Sequence, residues 1–224
     1  MMENKKLKDK RLNILNGQSM YDYFSETGLA LEGEILAFNE AMCAGEVTEE
    51  IFSREFIQKR CAAHHVSFDD YKEKIIDKLL PLFKCDFSEI HLWFGSDMFC
   101  QINLLTLLAY LEQSGFKGAA VLVLVNESER FEKISETRIE LGRYCEIYKN
   151  VLIKRVMPRG ITPQFLKEGI RLYLNLFKEN NEIVKYIREH KNIETNKLVS
   201  DLTGIFPQYG LGDIQYLELI RKTV

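Results

Sequence analysis

The sequence predicts an α/β protein, a mainly parallel sheet of about four or five strands covered by helices and followed by a helical C-terminal section. Three observations carry this expectation. Ala119-Ala120-Val121-Leu122-Val123-Leu124-Val125 is apolar on both faces, as an internal parallel strand between two helix layers must be. Upstream of it, short apolar runs alternate with amphipathic helical stretches. Beyond residue 130 apolar residues recur at helical spacing, and no comparable strand is expected.

In order, residues 1–10 (MMENKKLKDK) form a basic, flexible leader. Arg11–Leu15 is a short strand ended by Asn16-Gly17, and Ser19 is the expected N-cap of a helix over 20–27, stopped by Gly28. Gly33–Phe38 is a second strand. Thr48-Glu49-Glu50 has the form of a helix start, with Ile51, Phe52, Phe56, Ile57 and Cys61 at helical spacing. Ser67 caps the next helix, which Pro81 should kink or end near Leu80. Ile90–Phe94 is the central strand, followed across Gly95-Ser96 by a helix from Asp97 to about Gln113 and a stop at Ser114-Gly115.

Residues 136–155 read as a helix, although Val151-Leu152-Ile153 could pair as an edge strand. Thr162-Pro163 has the pattern of a cap followed by a first-turn proline. Helices over 193–205 and 212–222 finish the chain. The expected organisation is thus a leader (1–10), an α/β domain (11–129) and a helical region (130–224).

Of 224 residues, 46% are apolar and 28% charged, enough for a sizeable core. No apolar run approaches the roughly 18 residues of a membrane span, and the charged start is not a secretion signal. The five cysteines (43, 61, 85, 100, 145) contain no CxxC pair and suit free thiols in a reducing compartment, so a cytoplasmic protein is expected. The net charge of −3 hides an asymmetry. Residues 1–129 hold 13 Lys/Arg against 21 Asp/Glu, and residues 130–224 hold 17 against 12. The basic half could face nucleic acid, but its interleaved Lys and Glu also fit plain solvated helix faces.

In parallel sheets ligands sit at the C-terminal edge of the strands, which places the candidate site on the loops 16–19, 39–44, 95–97 and 126–128. Asn16-Gly17-Gln18-Ser19 is a glycine turn into a helix, whose backbone N–H groups and dipole favour an anion. It is neither a GxGxxG nor a P-loop sequence. Asp97 is a candidate base or hydroxyl-binding carboxylate, with Gln101 one turn further on and Ser96 beside it, although an acid on a first turn also serves as a simple cap. Glu40 follows the second strand and could pair with Asp97 at the same edge, or be an exposed loop acid. His91 and Trp93 share a strand face as core residues, and Cys43 and Cys100 would be nucleophiles only beside a base. No HxxxH, HExxH, Cys/His cluster or GxSxG occurs, so neither a metal site nor a nucleophile elbow is expected.

These residues resemble a bacterial domain family of unknown function. Its members open on a strand with an Asn-Gly-Asp-Ser-like turn, carry Trp-Phe-x-x-Asp-x-x-x-Gln-x-Asn-Leu-Leu, and end with a Pro…Gly-Leu helix. The matches here are Leu15–Ser19, Gly33-Glu34, Asn39-Glu40, Gly45, Trp93–Asp97 with Gln101–Leu105, Pro207 and Gly210-Leu211. The resemblance spans nearly the whole chain and implies an α/β fold with a helical C-terminal part, with no established activity, cofactor or partner. Gln18 stands where relatives commonly have Asp, which puts a catalytic role for that position in doubt. Some relatives carry a transcription-related label.

The reading favoured by the residues is a small-ligand α/β domain, a binding protein or an enzyme, for a phosphate- or nucleotide-like anion. Asn16, Gly17, Gln18, Ser19, Glu40 and Ser96 would bind it and Asp97 and Gln101 would orient or deprotonate. The alternatives are a regulatory module whose basic helical half contacts protein or nucleic acid, and a structural domain with no ligand. Cofactor and oligomeric state are not defined by the sequence.

Overall fold

Four parallel strands and one antiparallel edge strand form the sheet, in the order β2-β1-β3-β4-β5. They are β1 (Arg11–Asn16), β2 (Glu34–Phe38), β3 (Glu89–Phe94), β4 (Ala119–Asn126) and β5 (Glu132–Ile139). The computed structural model describes residues 10–28, 31–84 and 86–223; the basic leader expected at 1–10 and Cys85 lie outside them, apart from Lys10. Register pairs Leu12 with Ile90 and Ile14 with Leu92, and Leu92 in turn with Leu122. The central strands are therefore aligned tip to tip, and their C-terminal ends share one edge.

One helix, α1 (Gln18–Thr27), covers one sheet face. Met20 and Phe24 pack there on Leu15, Trp93, Val121 and Val123, with Phe24 edge-on to Trp93 at 5.3 Å. Trp93 Nε1 donates to buried Asn13 Oδ1 (3.1 Å), so the indole keeps a polar partner in an apolar layer.

All other helices lie on the opposite face. They are α2 (Arg54–His64), α3 (Phe68–Tyr71), α4 (Leu80–Phe83), α5 (Met98–Gln113), α6 (Tyr144–Tyr148), α7 (Gln164–Leu176), α8 (Glu182–Glu189), α9 (Thr195–Ile205) and α10 (Asp213–Thr223). At its centre α5 is apolar all round and almost wholly buried, as a helix enclosed between a sheet and other helices must be. Asp97 accepts from Cys100 N–H (2.9 Å) and caps it. Between α3 and α4 the helix passes through π and 3-10 turns, with Pro81 in the first turn of α4, in accord with the kink expected there.

Several expectations are corrected. Residues 132–139 are a strand where none was expected beyond 130, and 136–139 are therefore not the start of a helix: Glu132-Lys133-Ile134-Ser135-Glu136-Thr137-Arg138-Ile139 pairs antiparallel with β4, beyond the boundary expected at 129. Seven of its eight residues are exposed, so this edge strand carries no apolar alternation to read. Val151–Ile153 is helical, a π turn continuing α6. The helix expected from Thr48 starts at Arg54, because Ser53 caps it through Phe56 N–H while Thr48 bonds Glu50 O. Ser19 lies inside α1 and Gly17 takes the cap position. Pro163, not Thr162, occupies the cap position of α7. Cys43, Cys61, Cys100 and Cys145 are free thiols, and among the described residues no helix is long and apolar enough to cross a membrane.

Gly169 sets the approach of α7 to α5, since a Cβ there would overlap the Gln101 side chain. Gly169→Ala should therefore destabilise by about 1–3 kcal/mol through overpacking, read as a lower urea midpoint. An unchanged midpoint would show that this helix pair is not packed as described.

Candidate functional site

The chain leaves β1 through α1 toward β2, and leaves β3 through α5 on the other face toward β4. Successive crossovers thus diverge between β1 and β3, and a crevice opens at the C-terminal ends of these two strands. Asn16 closes β1 there. Gly17 turns the chain at φ 92°, a conformation that suits glycine, with its N–H donating to Phe38 O at 3.1 Å. No side chain caps α1, and Tyr21 N–H is the first to find an acceptor within the helix, on Gly17 O (3.4 Å). The N–H groups of Gln18, Ser19 and Met20 form its uncapped first turn.

Across the crevice stand Asp97, Cys100 and Glu127. Cys100 Sγ donates to Glu127 Oε1 (3.0 Å) and accepts from Asn16 Nδ2 (2.8 Å). The orientation of that amide follows from its neighbours. Asn103 Oδ1 accepts from Met42 N–H (3.0 Å), so Asn103 Nδ2 faces Glu40 O (2.7 Å) and Asn16 Oδ1 (2.9 Å). Asn16 is left with only its NH2 to offer the sulfur.

Burial pushes the Asp97 carboxyl up, against opposing hydrogen bonds from Cys100. Burial and then the Asp97 charge push Glu127 up. Burial and both acids hold the Cys100 thiol well above its ordinary value. Cys100 is thus a protonated donor, and both carboxyls hold their protons more tightly than a free acid does. Their ligand atoms and the sulfur lie within 4.8 Å of one another, so these three residues could also hold a cation, although the chain has no metal motif.

The roof comes from the C-terminal section. The turn Pro207–Tyr209 ends on Gly210 at φ 61°, directly over Asp97, where a Cβ would overlap Asp97 Oδ1. Two clefts of about 330 Å³ each flank this contact. One is lined by Asn16, Ser19, Cys100 and Phe131, the other by Ser96, Asn126 and Gln208, and Asp97, Glu127 and Gly210 border both.

Of the residues singled out from sequence, Asn16, Gly17, Ser19, Ser96 and Asp97 gather at this crevice. Gln101 does not reach it: its side chain is fully buried and donates to Gly95 O at 2.6 Å. Gln18 turns to the opposite side of the α1 N-terminus, bonding Asp22 (2.8 Å) and Asn39 (3.1 Å).

Glu40 is neither an exposed loop acid nor a partner of Asp97. It is 2% exposed and paired with Arg60 at 2.7 Å, both side chains wholly buried. Burial alone would raise its pKa, but Arg60 and the His64 hydrogen bond outweigh this and hold it at about 2. Glu127 and Cys100 complete the crevice, and buried Asn103 supports it through Asn16; the position of Cys100 one turn after Asp97 was the available signal, whereas Glu127 depends on the β4 register.

The chain matches no known family profile, no curated protein and no solved structure.

Asp97→Ala should cost about 1 kcal/mol as a lost cap. Asp97→Asn keeps a capping oxygen and removes one charge beside Glu127, so its melting temperature should equal or exceed that of the wild type. A fall as large as that of the alanine variant would contradict the repulsion described. Glu40 carries the opposite sign. Its depressed pKa contributes stability that is complete above the unfolded value of 4.5 and lost as pH falls toward about 2. Arg60→Leu, which strands that charge, should cost about 3–5 kcal/mol at neutral pH, and a urea series at several pH values would measure both effects.

Proposed function

We propose that the protein binds a small polar ligand in the β1/β3 crevice, with a phosphate- or carboxylate-like group on the uncapped first turn of α1 and a hydroxyl or amine against Asp97 and Glu127. The observation that carries this reading is the meeting, in one crevice, of an uncapped helix N-terminus and a carboxyl pair driven toward protonation. Among the described residues, no lysine or arginine lines either cleft. The backbone N–H groups and a protonated carboxyl would therefore supply the hydrogen bonds to an anion. A nucleotide or sugar phosphate has the required combination of anion and hydroxyls. Asp97 is the group placed to take or return a proton, and Asn16 positions Cys100 rather than touching the ligand through its own oxygen.

The alternative, nucleic-acid binding by the basic half, has less support. Lys149, Arg171, Lys197 and Lys222 each pair with an acid within 3.6 Å, which leaves the basic charge largely interleaved.

The test is a thermal-shift panel of nucleotides, sugar phosphates and neutral sugars on wild type, Asp97→Asn and Asp97→Ala. A ligand at 100 times its dissociation constant should stabilise the wild type by roughly 2.7 kcal/mol. The shift should disappear in Asp97→Ala and, for an anion, grow as the pH is lowered from neutral toward the raised carboxyl range. Equal shifts in all three proteins, or anion affinity that weakens on acidification, would place binding elsewhere.

A further inference from the structure

A second cleft, of about 420 Å³, opens on the other side of the α1 N-terminus, and its wall carries His64. His64 sits at the end of α2 with its side chain one quarter exposed. Its Nε2 lies 2.9 Å from Glu40 Oε2 and 3.2 Å from Arg60 Nη2. The two hydrogens of Arg60 Nη2 are already used, on Glu40 Oε2 (2.7 Å) and Ala41 O (3.0 Å). Nε2 must therefore be the donor to Glu40, and neutral His64 carries its proton there. Nδ1 is left as a bare acceptor, with no hydrogen-bond partner among the described residues.

Glu40 is in turn immobilised. It accepts from Arg60, Tyr71 Oη and Ala41 N–H, and it stays ionised near neutral pH. A buried carboxylate holding one imidazole nitrogen while the other faces a cleft is how an imidazole is oriented for proton transfer.

The cleft has chemistry to match. Val66 and Ile75 give it an apolar wall, Gln18 an amide, and Lys74 and Lys78 positive charge. Lys74 is 4.0 Å from Asp70, whereas Lys78 makes no ion pair among the described residues. We propose that this cleft binds a small organic anion with an apolar body, and that His64 Nδ1 accepts a proton from an O–H of that ligand. In that step the ligand O–H bond breaks and an Nδ1–H bond forms. The resulting imidazolium rests against the Glu40 carboxylate, and the ligand gains one negative charge near Lys78. This site shares no lining residue with the crevice at Asp97.

Phenyl phosphate is a suitable probe, because its ring fits the apolar wall and its monoanion carries the transferable proton. Histidine-edited nitrogen NMR of the full chain should show His64 as the Nε2–H tautomer. Titration should then move Nδ1 saturably from a bare to a protonated shift. Lys78→Gln, an exposed change, should weaken saturation several-fold, and His64→Gln should remove the assigned signal without unfolding the protein. Asp97→Asn should leave the titration unchanged, which separates this site from the other. An Nδ1–H tautomer, the absence of a saturable shift at millimolar probe, or saturation with Nδ1 still bare would each overturn the proposal.

Discussion

A carboxamide with no access to water must find its partners inside the protein, and Asn103 does so from the middle of the mostly apolar helix α5. It is fully buried, accepts from Met42 N–H, and donates to Glu40 O and Asn16 Oδ1. Three segments distant in sequence are thereby tied at one point: the tip of β1, the loop after β2, and α5. Removing one member of such a set leaves the others unsatisfied in a medium where each unmade bond is costly. The same residue fixes the polarity of everything beyond it. Because Asn103 offers N–H to Asn16, Asn16 offers N–H to Cys100, and Cys100 offers its proton to Glu127. The order of donors and acceptors at the crevice is decided inside the core.

Two acids at this edge of the sheet, Glu40 wholly buried and Asp97 partly so, are shifted in opposite directions. Glu40 has Arg60 in contact and remains ionised down to about 2. Asp97 is pushed up by desolvation, against hydrogen bonds from Cys100, with no ion pair among the described residues. Burial acts in the same direction on both; the guanidinium makes the difference. An acid held firmly as an anion can orient a neighbour, as Glu40 orients His64. An acid whose proton affinity is raised by its surroundings is the better suited of the two to take up a proton. The two roles sit on either side of the α1 N-terminus and are joined through Asn103.

The fold was largely legible because its parallel strands have two buried faces and announce themselves as apolar runs, with β4 the clearest case. The one strand that escaped, β5, exposes nearly every side chain and is defined by pairing alone. The edge where the strand-end loops converge was legible for the same topological reason. Its internal wiring was not. Spacing two apart on a helix correctly puts Gln101 and Asn103 on different faces, but it does not reveal that Gln101 turns inward to Gly95 O while Asn103 reaches the loops. Glu40 looked like a loop acid because Arg60, which buries it, lies 20 residues away on α2. Long-range charge pairing leaves no local periodicity to read.

The helical C-terminal section is more than a cover for α5. Gly210 lies against the Asp97 carboxylate so closely that only a residue without a side chain fits, and its left-handed backbone is one that glycine adopts at little cost. The preceding Tyr209 is anchored from below, its hydroxyl bonded to Asn175 (3.0 Å) and Glu182 (2.8 Å). The turn over the crevice is thus held by α7 and the start of α8, so the position of the roof depends on how those helices seat on α5. This turn covers the Asp97 carboxyl, whose desolvation raises its proton affinity. Any movement of the C-terminal helices would rehydrate the acids and alter their affinity for protons. The strand edge supplies the polar groups, and the C-terminal helices set the environment in which those groups work.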